Sequence, residues 1–200
     1  MTTTEKLPIV RLADWVPGPE QGHWTYRDYA TLGDEQHYEI VNGVLLMPPV
    51  PSWSHQEIVG EIFAYLRDHL RAHALDGVFT APIDVELSAE NVFQPDVVVL
   101  LKAHADRLQE RHIVGAPDLV VEVASLSTAL YDRLVKYDIY ARAGVLEYWI
   151  VNPENSSVEV LLVKNGHYQS LGRYSGQQKV PSQVVSGLDV SGEKFFASVW

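Results

Sequence analysis

The chain has 200 residues, no cysteine and a formal net charge of −11 at pH 7. The absence of cysteine excludes disulfides and thiolate chemistry. The net negative charge argues against a broad basic surface that binds nucleic acid electrostatically. It leaves open a local basic groove or a metal site that binds phosphate. This length predicts one domain over residues 1–200, with an extended lead-in over residues 1–24.

The apolar runs of the chain are too short to span a bilayer. Its first residues, MTTTEKLPIV, lack the basic region and the long apolar stretch of a signal peptide. Together with the missing cysteines, this pattern predicts a cytoplasmic protein.

The first predicted elements are a short helix and a β-hairpin. A helix over residues 25–33 begins at a threonine that can cap it. The segments HYEIV and VLLM flank Asn42 and Gly43. Asn-Gly is the strongest two-residue hairpin signal because both residues tolerate positive φ, so these segments are predicted to pair as antiparallel strands.

A longer helix is predicted over residues 55–73, where apolar side chains recur at helical spacing. Ser54 and Glu57 have the spacing of a capping box. Trp53, just before the cap, is expected to pack on Ile58 as a hydrophobic staple.

Three strands follow in the middle of the chain. The first, over residues 78–87, contains Pro82, which suggests an edge strand or a bulge. The other two, PDVVVLL over 95–101 and DLVVEVAS over 118–125, are almost continuously apolar. Such runs are typical of strands buried on both faces in the middle of an α/β sheet.

In the last third of the chain, the sequence predicts a helix over 128–143, a strand at LEYWIV and a second hairpin that turns at Asn165 and Gly166. The tail contains two short strand-like pieces, VPSQVV and GLDV, and a final segment that could pack on the body of the protein.

Three acidic residues interrupt or begin these apolar strands. Glu122 lies inside the strand over 118–124, on the same face as Val120 and Ala124. Asp96 begins the preceding strand, and Glu39 interrupts the first hairpin strand. A buried carboxylate must be paired, protonated or bound to a metal. Three carboxylates that converged near strand ends would form an oxygen-rich site suited to Mg²⁺ or Mn²⁺.

The ordered set of motifs resembles the PD-(D/E)XK nuclease superfamily, and more closely its bacterial branch, the Uma-type restriction-endonuclease family. The resemblance runs over roughly residues 30–155, through YEIVNGVLLM, PPVPSWSHQEIVGEI, QPDVVVL, GAPDLVVEVAS, KYDIYARAGV and LEYWIVNP. It implies an α/β fold of the restriction-endonuclease type, with a mixed central β-sheet flanked by α-helices and extra β-hairpins.

The resemblance also implies a function and its residues. Asp96 and Glu122 match the metal-binding acids, Glu39 matches an upstream acid, and Gln94 and His55 match supporting polar positions. The usual strand lysine is replaced by Ala124. In the branch resembled here a helix lysine takes its role, and Lys136 matches that lysine. The implied activity is Mg²⁺- or Mn²⁺-dependent hydrolysis of phosphodiester bonds in nucleic acid, with DNA as the expected substrate. The implied oligomeric state is a homodimer.

Other interpretations of the same residues remain open. Lys136 could pair with Asp132 on a solvated helix face, beside Tyr140, and Glu39 could belong to the polar face of its hairpin. His69 and His73 have metal-ligand spacing but are expected to be a solvent-facing pair. The net charge and the missing strand lysine also fit a catalytically inactive relative that acts as a protein-interaction or structural module.

Overall fold

The computed structural model describes residues 10–33, 37–73, 76–124 and 135–197. These residues form three α-helices: α1 (Tyr26–Tyr29), α2 (Trp53–His73) and α3 (Tyr137–Ala143). They also form twelve strands: β1 (Arg11–Leu12), β2 (Glu39–Val41), β3 (Val44–Met47), β4 (Asp76–Thr80), β5 (Asp84–Ser88), β6 (Asn91–Phe93), β7 (Val97–Leu101), β8 (His112–Val114), β9 (Leu119–Val123), β10 (Glu147–Asn152), β11 (Ser157–Lys164) and β12 (His167–Ser175).

The strands are divided between two six-stranded sheets. The first sheet has the order β1-β3-β2-β6-β5-β8, and the second has the order β12-β11-β10-β9-β7-β4. Each sheet is mixed, because β5 and β8 pair in parallel in the first and β9 and β10 pair in parallel in the second. The predicted mixed α/β fold is therefore confirmed, but its strands are divided between two sheets and not gathered in one.

The predicted hairpin at the start of the first sheet is confirmed. Asn42 and Gly43 connect β2 to β3 with positive φ values of 49° and 74°. A Cβ atom at Gly43 would overlap the backbone carbonyl of Gly22. Glycine is thus required here both by the turn and by the close approach of the lead-in.

The two apolar runs form neighbouring central strands of the second sheet. β9 lies between β7, with which it pairs antiparallel, and β10, with which it pairs in parallel. Val97 is opposite Val121, so continuing the register by one residue brings Asp96 opposite Glu122. The sequence prediction that these two strands could pair is confirmed.

The second sheet is covered on both faces. One face packs on α2 and the C-terminal segment, with Leu119, Val121 and Val123 pointing into this core. The other face carries the inter-sheet core, which also includes side chains from the first sheet and from α3. Its buried members are Val41, Phe93, Ala116, Val120, Ala124, Tyr140, Ala141, Val145, Tyr148, Ile150, Leu161 and Tyr168.

Three local predictions were wrong. The strand predicted over 78–87 is broken at Pro82 into β4 and β5, which belong to different sheets. The long helix begins at Trp53, and the hydroxyl of Ser52, not of Ser54, accepts the backbone N–H of His55 at 3.2 Å. Trp53 is 59% exposed and does not staple the helix.

The tail packs on the body without forming the expected strands. Residues 180–185 and 187–190 are outside any strand, while Phe195 is fully buried. The buried carboxylate of Glu147 in β10 accepts the backbone N–H groups of Gln183 and Val184, at 2.7 and 3.0 Å. This carboxylate supplies the hydrogen bonds that a strand partner would otherwise provide.

The helix predicted over 128–143 is seen only in part, because residues 125–134 lie outside the described residues. Residues 135 and 136 form a π-helical turn that leads into α3. Gly144 ends α3 with φ of 90°, as expected for a helix C-terminus. No helix in the described part of the chain combines the length and the apolar character that crossing a membrane requires.

Candidate active site

Three charged side chains meet in the space between the two sheets. The ammonium Nζ of Lys136 lies 2.9 Å from Oε1 of Glu122 and 3.0 Å from Oε1 of Glu39. Glu39 is 2%, Glu122 4% and Lys136 5% exposed. Because water is nearly excluded, these charges depend on one another for compensation.

The strand and helix geometry explains why these residues meet. Glu122 lies on the face of β9 that carries Val120 and Ala124, so it points into the inter-sheet core. Lys136 directly precedes α3, which packs on that face. Its ammonium group also lies 5.8 Å from the ring centroid of Phe93.

Asp96 lies next to this group, just before β7 and in register with Glu122 of β9. Its Oδ2 accepts the backbone N–H of Val123, the residue after Glu122, at 2.7 Å. The same oxygen lies 3.1 Å from Nε2 of His55, in the first turn of α2. Asp96 is therefore held by two elements, β9 and α2, beside Glu122.

Gln94 connects Glu39 to a polar cluster in the first sheet. Its backbone N–H donates to Oε1 of Glu39 at 3.3 Å. Its side-chain amide donates to Oδ1 of Asp84 at 2.8 Å and to the hydroxyl of Tyr29 at 3.1 Å. Burial raises the pKa of the Asp84 carboxyl, and the hydrogen bonds from Gln94 and Tyr29 act in the opposite direction.

Tyr140 is a contact of the site that the sequence analysis did not predict, since it named Tyr140 only beside Lys136 in the alternative of a solvated helix face. Its ring is fully buried, and its hydroxyl donates to Oε1 of Glu122 at 2.7 Å. Burial and the charge of Glu122 raise the pKa of this hydroxyl well above its ordinary value. The signal in the sequence is its position four residues after Lys136, which places both side chains on one helix face.

The structure excludes several of the alternatives left open by the sequence. Lys136 is buried, so it does not lie on a solvated helix face, and Glu39 does not belong to an exposed face of its hairpin. Glu122 lies in an interior strand of its sheet. His69 and His73 stack with ring centroids 4.3 Å apart, and His73 bonds to the backbone carbonyl of His69.

The residue types of the acids, considered apart from their arrangement, suit a hard divalent cation. Glu39, Asp96 and Glu122 supply carboxylate oxygens, the donors that Mg²⁺ and Mn²⁺ prefer. Lys136 offsets one of their three formal negative charges. Across residues 10–33, 37–73, 76–124 and 135–197, however, no three histidine, aspartate or glutamate side chains are grouped so that they could hold a metal ion. The ammonium group of Lys136 lies between two of the three acids.

The chain is similar to known proteins in sequence and in fold. Residues 25–192 match the Uma2 family, described as "Putative restriction endonuclease". A crystal structure from Anabaena variabilis, described as "a putative nuclease belonging to DUF820", superposes with a TM-score of 0.72 and 18% sequence identity, covering 86% of this chain and 97% of that chain. No protein with a curated description matches the chain. Because the family match covers most of the chain and all the acids of the candidate site, this protein belongs to the Uma2 restriction-endonuclease family.

Proposed function

We propose that this protein hydrolyses phosphodiester bonds of nucleic acid, with DNA as the expected substrate. The observation that carries the proposal is the buried group in which Lys136 joins Glu39 and Glu122, with Asp96 fixed beside Glu122. Membership of a restriction-endonuclease family and a nuclease-like fold support the same reaction class.

In this proposal the acids hold a divalent ion. Asp96 and Glu122 are the principal ligands, and Glu39 completes the set or acts through a water molecule. When bound, Mg²⁺ or Mn²⁺ polarises a phosphoryl oxygen and lowers the pKa of a coordinated water. His55 keeps Oδ2 of Asp96 oriented, and Gln94 keeps Oε1 of Glu39 oriented.

Lys136 gives the proposed site a positive charge that belongs to the protein and not to the metal ion. Phosphodiester cleavage builds negative charge on the phosphoryl oxygens in the transition state, and a fixed cation in a water-poor site stabilises that charge strongly. The three acids and Lys136 together carry two formal negative charges, which one divalent ion would neutralise. The charge balance of the group thus suits a divalent ion better than a monovalent one.

The proposal is tested first by calorimetric titration of the full chain with Mn²⁺. Wild type, Asp96→Asn and Glu122→Gln are compared with Asp189→Asn, which removes a carboxylate that is 73% exposed. We expect wild type and Asp189→Asn to bind alike and the two site variants to lose binding. The same proteins are then assayed with Mn²⁺ on plasmid DNA, single-stranded DNA and RNA.

Loss of binding in both site variants, with cleavage of at least one substrate by wild type, supports the proposal. Wild type that binds no Mn²⁺, or site variants that bind as wild type does, contradicts it. Cleavage of RNA alone would retain the reaction class and correct the substrate.

A second candidate function is an inactive relative that serves as a protein-interaction or structural module. Two observations favour it: the net charge of −11 and the absence of a three-ligand metal group among the described residues. If it holds, Asp96→Asn and Glu122→Gln should leave Mn²⁺ titrations unchanged, and no nucleic acid should be cleaved.

The proposal also includes a homodimer and a cytoplasmic location, which the family resemblance and the cysteine-free sequence favour. Sedimentation equilibrium of the purified chain tests the first, since a dimer has twice the mass of the 22.4 kDa chain. Fractionation of cells that carry the native gene tests the second.

A further inference from the structure

We propose that Tyr140 is a positioning residue of this site, whose hydroxyl fixes the orientation of the Glu122 carboxylate. The inference rests on the proposed function and extends it to a residue outside the three acids and the lysine. Tyr140 acts through Glu122 and is not itself placed against the substrate.

The first support is the convergence of two donors on one oxygen. Nζ of Lys136 lies 2.9 Å from Oε1 of Glu122, and the hydroxyl of Tyr140 lies 2.7 Å from the same atom. Side chains four residues apart lie on one face of a helix. Lys136, just before α3, and Tyr140, within α3, therefore both face Glu122. Two donors on one oxygen restrict rotation of the carboxylate more than either donor alone.

The second support is that the packing of the Tyr140 ring does not require a hydroxyl. The ring is fully buried and makes edge-to-face contacts with Phe93 and Tyr148, at centroid distances of 5.2 and 5.3 Å. A phenylalanine ring would make the same contacts. A hydroxyl buried here is costly unless it is hydrogen-bonded, and Glu122 accepts its hydrogen bond.

The experiment compares Tyr140→Phe with Tyr168→Phe. Tyr168 is buried in the same inter-sheet core, and its hydroxyl donates to the backbone carbonyl of Val145 at 3.0 Å, away from the acids. Each variant loses one buried hydroxyl and one hydrogen bond. Mn²⁺ binding to the full chain is measured by calorimetry, and near-ultraviolet circular dichroism checks the fold.

We expect the Mn²⁺ dissociation constant to rise about tenfold or more in Tyr140→Phe, as is usual when a group orienting a metal ligand is removed. In Tyr168→Phe the constant should equal that of wild type. Once a substrate is identified, Tyr140→Phe should lower kcat and leave KM unchanged, because the hydroxyl does not reach the nucleic acid.

An affinity in Tyr140→Phe equal to that of wild type overturns the inference and leaves the proposed function intact. Equal weakening in both variants also overturns it, because the effect would then be one of general stability. Absence of Mn²⁺ binding by wild type overturns the proposed function, and this inference with it.

If Tyr140→Phe does not fold, 3-fluorotyrosine at position 140 replaces it. This residue keeps the ring and the hydroxyl and changes the strength of the donor. An Mn²⁺ affinity that is unchanged by the fluorine overturns the inference.

Discussion

The ammonium group of Lys136 lies 3.0 Å from Oε1 of Glu39 in the first sheet while it also bonds Glu122 in the second sheet. One buried cation therefore joins the two sheets, beside the apolar and aromatic side chains of the inter-sheet core. Without it, each acid would lose a cationic partner in the interior, which is costly. The residue proposed to serve the chemistry thus also contributes to the docking of the sheets.

Replacing Lys136 with methionine is expected to destabilise the protein by about 3–5 kcal/mol at neutral pH, the usual cost of removing one partner from a buried ion pair. The variant should also lose the proposed phosphodiesterase activity. Urea denaturation followed by circular dichroism measures the stability. The control is Lys179→Met, whose lysine pairs with Asp189 at the surface, with side chains 72% and 73% exposed. It should change stability by less than about 1 kcal/mol.

Equal stability of Lys136→Met and wild type would contradict this prediction. It would mean that the two glutamates are neutral or hydrated without the lysine. Activity retained by the variant would instead remove Lys136 from the proposed chemistry and leave its structural role.

His55→Ala is expected to weaken Mn²⁺ binding or turnover about 10- to 100-fold, because Asp96 loses the imidazole that orients its Oδ2. His73→Ala, an exposed histidine at the other end of that helix, is the control and should behave as wild type. Equal behaviour of both variants would show that Asp96 is held sufficiently by the N–H of Val123.

Asp84→Asn is expected to raise stability at neutral pH. Burial raises the pKa of Asp84 in the folded protein above its value in the unfolded chain, so the ionised carboxylate opposes folding. As the pH falls through the pKa of the folded state towards that of the unfolded state, the carboxyl of the wild type becomes protonated and its cost to folding disappears. The asparagine variant has no such group, so its stability does not change in this way. The advantage of the variant should therefore be largest at pH 7–8 and should shrink towards pH 4.

Urea midpoints at pH 4, 6 and 8 for wild type and Asp84→Asn measure this difference. Asparagine retains an oxygen that can accept from Gln94 and Tyr29, so the cluster should stay assembled. A difference that is constant over this pH range would contradict the prediction, because it would then arise from hydrogen bonding and not from charge.

Gly43→Ala is expected to destabilise the protein by about 2–4 kcal/mol, since it adds a steric clash to the strain of positive φ. Gly166 ends the other Asn-Gly turn with a nearly identical φ of 75°, and open space surrounds its added Cβ. Gly166→Ala should therefore cost only about 1 kcal/mol, the penalty of the left-handed backbone alone. Thermal denaturation of both variants gives the comparison, and equal losses would mean that the lead-in moves away from Gly43.

Local sequence patterns predicted much of this fold. Both Asn-Gly turns connect the strands expected on either side of them. The alternation around Glu122 also holds, since Val120 and Ala124 lie in the inter-sheet core and Val121 and Val123 lie in the core on the other face. These features depend on neighbours along the chain or on a two-residue period, and both can be read from the sequence.

Features that depend on tertiary contacts were not predictable in this way. Pro82 indicated an irregularity, but only the docking of two sheets makes it the boundary between them. Residues 180–185 have a strand-like pattern, yet their backbone is bound by the carboxylate of Glu147. The spacing of Tyr140 from Lys136 places both side chains on one helix face, but which face of α3 packs against the sheets does not follow from that spacing.

The proposed site lies where the two sheets pack together, because Glu39 belongs to the first sheet and Asp96 and Glu122 lie in or next to strands of the second. The spacing of the acids is therefore a measure of how the sheets are docked. A change in the ring packing between Phe93 of the first sheet and Tyr140 of α3, whose centroids are 5.2 Å apart, would move Glu39 relative to Glu122 without unfolding either sheet. Temperature or a ligand that loosened the contact between the sheets would therefore abolish the proposed activity while both sheets were still intact.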